Sequence, residues 1–413
     1  MSTEARRTPL PAASVTRATA ALIALRILYA YNWFDVGPAL PSIGASFSVG
    51  PAAWGVLVAA FLVGAGLFQV PAGLLSRRYG ARSVSLAGVG LLAVGGAACA
   101  IAPTFLLLVV VRLIAGVGAA LFFSPAIGLV ASLYPEGRRG VPVGTFSSAF
   151  SAGAALGIVG SSLLIPPIGW QASLAVGGLL LGGMTLLSLF LVPPTAGAAP
   201  AAPSRVRSEV PRALRYRGVW AIGLAFVGLE GASFATGQFV VPWGESVQGW
   251  SIALAGVVGM MFILPSVVGG PVGGRIAERH RNHRTQFVVV TLAAAGVLAL
   301  LPVAGLAVAV LIGSLFSFAY GFIYAVMYVL PHYWREVPAE EVPLAIGLFN
   351  SIQLAGGAGV SAAFGAIVAA RSYSTGWEAL ALVTLATLIA IAFLPRTPAA
   401  SAGLPAAAGP APP

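Results

Sequence analysis

The 413-residue chain has no lysine, one cysteine and only eleven acidic residues. Each shortage excludes something. Without lysine there is no phosphate-binding loop of the glycine-rich, lysine-containing kind, so ATP hydrolysis by this chain is not expected. With Cys99 alone there is no intramolecular disulfide and no thiolate metal cluster; Cys99 reads as a small packing residue in an apolar run. Charged residues total 8%, against roughly 25% in soluble domains. So few charges cannot cover a water-facing surface, which excludes a soluble fold. His280 and His283 stand among arginines, where a metal ion is not expected. There is no nucleophile elbow and no zinc-protease helix pattern. Neither an enzyme nor a cofactor is expected.

Apolar residues are abundant instead, at 58%. A helix needs about 20 of them in a row to cross a bilayer. Runs bounded by charge or by proline and glycine give twelve spans: 18–43, 52–75, 83–102, 104–133, 142–165, 170–193, 219–243, 250–274, 285–304, 306–333, 343–369 and 377–395. The first run is too long for a cleavable signal and reads as a retained span. The net charge of +11 does not point to nucleic acid, because the arginines lie in short connections on one side. These hold Arg77, Arg78 and Arg82, then Arg138 and Arg139, then Arg205 to Arg217, then Arg275 to Arg284, then Arg335; the opposite side holds only Arg371. By the positive-inside rule the arginine-rich side is cytoplasmic, with both termini there. The expected layout is a cytoplasmic start (1–17), six spans (18–193), a Pro/Ala- and Arg-rich linker (194–218), six more spans (219–395) and a disordered tail (396–413).

The halves repeat. Pro41 and Gly73 recur as Pro242 and Gly274, each 201 residues on. Gly144, Phe146 and Ser148 recur as Gly347, Phe349 and Ser351, 203 residues on. Parallel repeats imply a pseudo-two-fold axis along the membrane normal, with a site between the halves near the midplane.

The stretch Gly73-Leu74-Leu75-Ser76-Arg77-Arg78-Tyr79-Gly80-Ala81-Arg82 resembles the loop signature G-x-x-x-D-R-x-G-R-[RK] of the major facilitator superfamily, with Arg77 in place of the acid. The second copy keeps an acid in Glu278, followed by Arg279. Arg112, Gly116 and Gly118 look like that family's fourth-span pattern, Tyr134 to Gly140 like its next loop, and Gly169-Trp170 like the start of its sixth span. The resemblance covers roughly residues 18–395. It implies an all-α polytopic fold of two six-helix bundles and secondary transport by alternating access. It further implies a cytoplasmic gate at Gly73, Arg78, Gly80, Arg82, Gly274, Glu278 and Arg279. Asp35, followed by Pro38, is similar to a first-helix motif of drug–proton antiporters, whose acid meets the fourth-span arginine, here Arg112. Gly144, Gly153 and Gly157 partly match the antiporter signature, but Ile158 and Ser161 depart from it, and close packing through small residues is the favoured reading.

A charge at mid-bilayer costs roughly 2.5–3.5 kcal/mol on insertion scales. Arg26, Asp35, Arg112 and Glu230 carry that cost, so they are the main candidates. Asp35 and Arg112 read as a proton-coupling pair or a static bridge, and Glu230, alone in the seventh span, as a proton carrier or a cation site. Arg26 is nine residues from Asp35, on the opposite helix face. It shares a face with Tyr29 and Trp33, and offers a fork for a carboxylate or a structural partner for Glu230. Asn32, Gln238, Tyr320, Tyr324, Asn350 and Gln353 are polar at membrane depth and are softer substrate candidates. The expected function is transport of a small organic solute in the cell membrane, coupled to protons, by a monomer. Drug or metabolite efflux comes first and organic-anion uptake or exchange second. A non-transporting membrane sensor is the rival of another class.

Overall fold

The computed structural model describes residues 11–135, 138–194, 212–280, 282–334, 337–338 and 341–395. The expected tail, most of the linker and the first ten residues lie outside these, as do Arg205, Arg207, Arg281 and Arg335. Among the described residues all regular structure is helical. In chain order the spans are α1 (Ala12–Phe47), α2 (Pro51–Leu67 and Gln69–Tyr79), α3 (Ala81–Ile101), α4 (Phe105–Ser132), α5 and α6 (together Gly140–Leu191), α7 (Arg217–Ser246), α8 (Ile252–Arg279), α9 (His283–Val303), α10 (Leu306–Val329), α11 (Val342–Ala370) and α12 (Tyr373–Phe393).

The 52-residue stretch Gly140–Leu191 would be about 78 Å long at 1.5 Å per residue, over twice the ~30 Å hydrocarbon core. It divides at Gly169, whose φ of +79° is a left-handed conformation that glycine adopts without a Cβ clash. Residues 140–168 are α5 and 170–191 are α6, which completes twelve spans. The bends in α2 and α8 have proline causes. Pro71 lacks the N–H that the Leu67 carbonyl would take, and the two parts of α2 meet at 44°. Pro265 does the same to Met261, where the first part of α8 ends. In each case a missing donor breaks one turn.

Large apolar side chains such as Leu179, Leu186, Phe190, Leu311 and Leu315 are exposed. They form the lipid-facing surface, which is where the apolar excess of the sequence goes. Helices α1 and α7 are central: α7 is buried almost continuously from Val219 to Gly244.

The repeat is visible in the packing. Trp33 of α1 stacks on Phe234 of α7 with centroids 5.5 Å apart, and these positions are 201 apart in sequence. Gly37 and Gln238, also 201 apart, meet at the same crossing: a Cβ on Gly37 would lie 2.9 Å from the Gln238 Cα. Residues that meet their own repeat equivalents mark the pseudo-two-fold axis. Gly55 of α2 lies against Ser361 and Ala362 of α11, while its equivalent Gly256 of α8 lies against Ser162 and Ile158 of α5. These contacts sit on the side away from the arginine-rich loops. Towards those loops a Cβ at Gly73, Gly274, Gly144 or Gly347 would meet nothing within 4 Å. The central space is closed on the far side.

Candidate functional site

The space between the bundles has two unlike walls. Its far end is plugged by aromatic rings, with Phe234 stacked on Trp33 and on Phe34, the latter at 5.4 Å and 6° between planes. Gln238 fastens the plug by donating from Nε2 to the Trp33 carbonyl at 2.8 Å. Gln238, expected to contact substrate, thus bridges the bundles beyond the plug.

On the amino-terminal wall stands Arg26. Its guanidinium carbon lies 4.8 Å from the ring centre of Tyr29, 4.5 Å from Phe123, 5.4 Å from Phe146 and 4.7 Å from Phe150. Ring faces attract a cation through their quadrupole but are poor substitutes for acceptor oxygens. Nε and Nη1 of Arg26 are buried with no hydrogen-bond partner, and Arg26 forms no ion pair with Glu230. Tyr29, one turn on, donates its hydroxyl to the Ala119 carbonyl at 3.3 Å. Tyr324 and Tyr328 of α10 are within electrostatic reach of Arg26 from the opposite wall.

That carboxyl-terminal wall is a ladder of hydroxyls. Tyr320 donates to Glu230 Oε2 at 2.7 Å. One turn on, the Tyr324 and Tyr328 hydroxyls are 2.9 Å apart. Tyr328 donates to Asn350 Oδ1 at 2.8 Å, and Gln353 Nε2 donates to the same oxygen. Phe226 packs beside Tyr320 and Tyr324. Glu230 is 3% exposed and lies against Gly357 of α11.

Asp35 and Arg112 do not form the expected ion pair. The guanidinium of Arg112 sits over the Phe61 ring at 4.4 Å and donates to the Asn32 carbonyl at 3.0 Å. Asp35 Oδ1 is buried without a partner. Asp35 lies at the joint between the two helical parts of α1, and its carbonyl accepts from Ser161 of α5 at 2.7 Å. Both residues are inside the amino-terminal bundle, off the central space. Asn32 also needs correction as a substrate contact. Six residues from Arg26, it falls about 120° round the helix, and its amide donates to Gly177 of α6 at 3.1 Å. Gly153 and Gly157 bring α5 onto the α1 backbone at Ile27 and Tyr31, in keeping with close packing.

The proposed gate residues divide. Arg82 is a clamp within its own bundle: Nε donates to Val192 at 2.8 Å and Nη2 to Leu189 at 2.7 Å, satisfying carbonyls at the end of α6. Arg284, 202 residues on, donates likewise to the Leu394 carbonyl at the end of α12. Gly80, at φ +85°, turns the chain from α2 into α3. Arg78 lies beside the Tyr79 ring, 5.1 Å from its centre. Glu278 and Arg279 are exposed and form no ion pair among the described residues. Among the described residues no ion pair joins Arg78, Arg82, Glu278 or Arg279 across the bundles.

Sequence reasoning passed over Phe123, Phe146, Phe150, Tyr328 and Arg284. Tyr328 continues the four-residue spacing of Tyr320 and Tyr324, and Arg284 continues the repeat from Arg82. Phe146 was marked only by the repeat, and Phe123 and Phe150 gave no signal, since an aromatic on an apolar helix is ordinarily packing.

Comparison with known proteins fits this architecture. The family model "Major Facilitator Superfamily" matches residues 22–353. The chain belongs to the Major Facilitator Superfamily. The facilitator is 33% identical over 138 residues to the multidrug resistance protein Stp of Mycobacterium tuberculosis (strain CDC 1551 / Oshkosh), covering 33% of this chain and 26% of that one. It is 30% identical over 215 residues to a gallate transporter of Pseudomonas putida, covering 51% and 47%. The matches therefore span less than two thirds of either relative. The crystal structure of a D-xylose-proton symporter superposes with a TM-score of 0.74 at 18% identity, over 93% of this chain and 99% of that one, which shows the shared fold. Family and relatives are transporters, not enzymes, and the facilitator is a multi-pass membrane protein.

Proposed function

We propose that this facilitator exports a small organic solute across the plasma membrane in exchange for protons, by rocking its two bundles about the Trp33–Phe234 crossing. The arginine-rich side is taken as cytoplasmic from the positive-inside rule, so both termini lie there and the bundles meet through Gly55 and Gly256 on the outer side. The observation that carries proton coupling is Glu230. It is a buried carboxylate in an otherwise uncharged helix core, held by the Tyr320 hydroxyl and facing the space that alternates between sides. A carboxylate so placed is charged only while solvated or paired, so access from alternate sides makes it a proton carrier. The resistance protein among the relatives supports export as the direction.

The test uses proteoliposomes with a pH gradient and an internal pH dye. Solute-dependent proton movement is expected for the wild type. Glu230→Gln should reduce it by about 100-fold while solute exchange across equal pH continues. Intact proton movement in Glu230→Gln would remove this residue from the mechanism, and solute flux without any proton movement would remove coupling altogether.

A further inference from the structure

We propose that Arg26 and its rings are the subsite for the carboxylate of an aromatic or similarly flat, apolar acid; this deepens the transport reading and rests on it. Three N–H bonds of Arg26, one on Nε and two on Nη1, are buried without acceptors. Leaving buried donors unmet is costly, and the cost falls on a cation already expensive at this depth. No acid among the described residues relieves it. Glu230 takes the Tyr320 hydroxyl, Asp35 lies on the other face of α1, and the described residues supply no ion pair to Arg26. The missing acceptor then comes from outside the chain. An anion also offsets the guanidinium charge, which a neutral acceptor does not, and a carboxylate brings two oxygens to a guanidinium that has several donors to fill.

The surroundings define the rest of the ligand. Tyr29, Phe123, Phe146 and Phe150 give the anion an apolar, ring-lined wall, on which a flat body stacks with offset or edge contacts. Opposite, the Tyr324 and Tyr328 hydroxyls are partners for a polar substituent on that body. The group lies on the arginine-rich side of the Trp33–Phe234 plug.

Binding to the purified wild-type protein in detergent is measured by calorimetry for 4-hydroxybenzoate, 1-naphthoate, 4-hydroxybenzamide, cyclohexanecarboxylate and tetraphenylphosphonium. The acids are expected to bind about 100-fold more tightly than the amide. The aromatic acids should bind more tightly than the cyclohexane acid, and the phosphonium should not compete. Arg26→Gln should lose acid binding by about 100-fold, with Arg26→Lys recovering part of it. Equal binding of acid and amide to the wild type overturns the proposal without any variant, as does a lack of saturable binding by either aromatic acid. Full acid affinity in Arg26→Gln also overturns it. Acid binding without flux in proteoliposomes would end the transport reading and leave the subsite standing. Proton-linked flux of the aromatic acids, unchanged in Arg26→Gln, would end the subsite alone.

Discussion

The amino-terminal bundle buries Arg26, Asp35 and Arg112 within its spans, while the spans of the carboxyl-terminal bundle bury Glu230 and line it with tyrosines. The scaffolds correspond residue by residue: Gly55 with Gly256, Arg82 with Arg284, Trp33 with Phe234. The ions do not. At the 201-residue offset Arg26 falls on Val227, Tyr29 on Glu230 and Asp35 on Thr236. Positions that keep the repeat hold helices together, and either half shows the same packing need. Positions that break it carry charges the repeat does not require, since the other bundle folds around an apolar or neutral residue there, and each charge's own bonds then decide whether it is structural. The distinction sorts structural from functional polar groups, and it can be broken by experiment.

The largest effect is expected from comparing two buried arginines. Arg112 donates to the Asn32 carbonyl and lies near Asp35, so Arg112→Met leaves an acceptor unmet and a carboxyl without its nearest cation. A loss of about 2–4 kcal/mol in unfolding free energy is expected. Arg26→Met removes donors that have no acceptor, and lost cation–π attraction offsets the relief. Its stability should stay within about 1 kcal/mol of wild type while acid binding disappears. Thermal and denaturant unfolding in lipid nanodiscs would measure both. A reversed order would mean that Arg26 is the structural cation.

A smaller and symmetrical effect is expected at the clamps. Arg82→Gln and Arg284→Gln each remove charge-assisted bonds to the carbonyls that end α6 and α12. Each should cost about 1–3 kcal/mol, and the two costs should agree within about 1 kcal/mol. Hydrogen exchange should rise at residues 188–192 in the first variant and 390–394 in the second, without crossing over. Faster exchange at the bundle interface instead would return Arg82 to the gate.

These cases also show what the sequence made legible. Twelve spans followed from apolar length, because lipid leaves a helix little other choice, and the two halves followed from an offset that the three-dimensional contacts keep. Arg26, Glu230 and the Tyr320–Tyr324 spacing were visible because a polar group in hydrocarbon is conspicuous. Pairings were not. Asp35 and Arg112 match in depth, yet the joint in α1 and the stacking of Arg112 on Phe61 keep them from bonding. Asn32 is polar and central in sequence but is turned away by helix phase. The phenylalanine cage was invisible because its members differ from packing residues only in what they surround.

The smallest effect tests whether the bundles are held in one state by few bonds. Ser151 of α5 and Ser266 of α8 share a hydroxyl–hydroxyl bond of 2.8 Å across the interface. Ser162 bonds only within its own helix, to Ile158 at 2.8 Å. Ser151→Ala removes a bond that exists while the far side is closed, and Ser266 keeps its bond to the Ile263 carbonyl. A net loss of about 0.5–1.5 kcal/mol shifts the balance towards the opposite state by about 2- to 12-fold. Spin labels at Arg78→Cys and Arg279→Cys, in a Cys99→Ala background, lie at the arginine-rich ends of the two bundles and should show a larger short-distance population in Ser151→Ala. Ser162→Ala should leave the distribution unchanged, because its bond does not cross. An equal shift in both variants would mean that helix flexibility, and not the inter-bundle bond, sets the equilibrium.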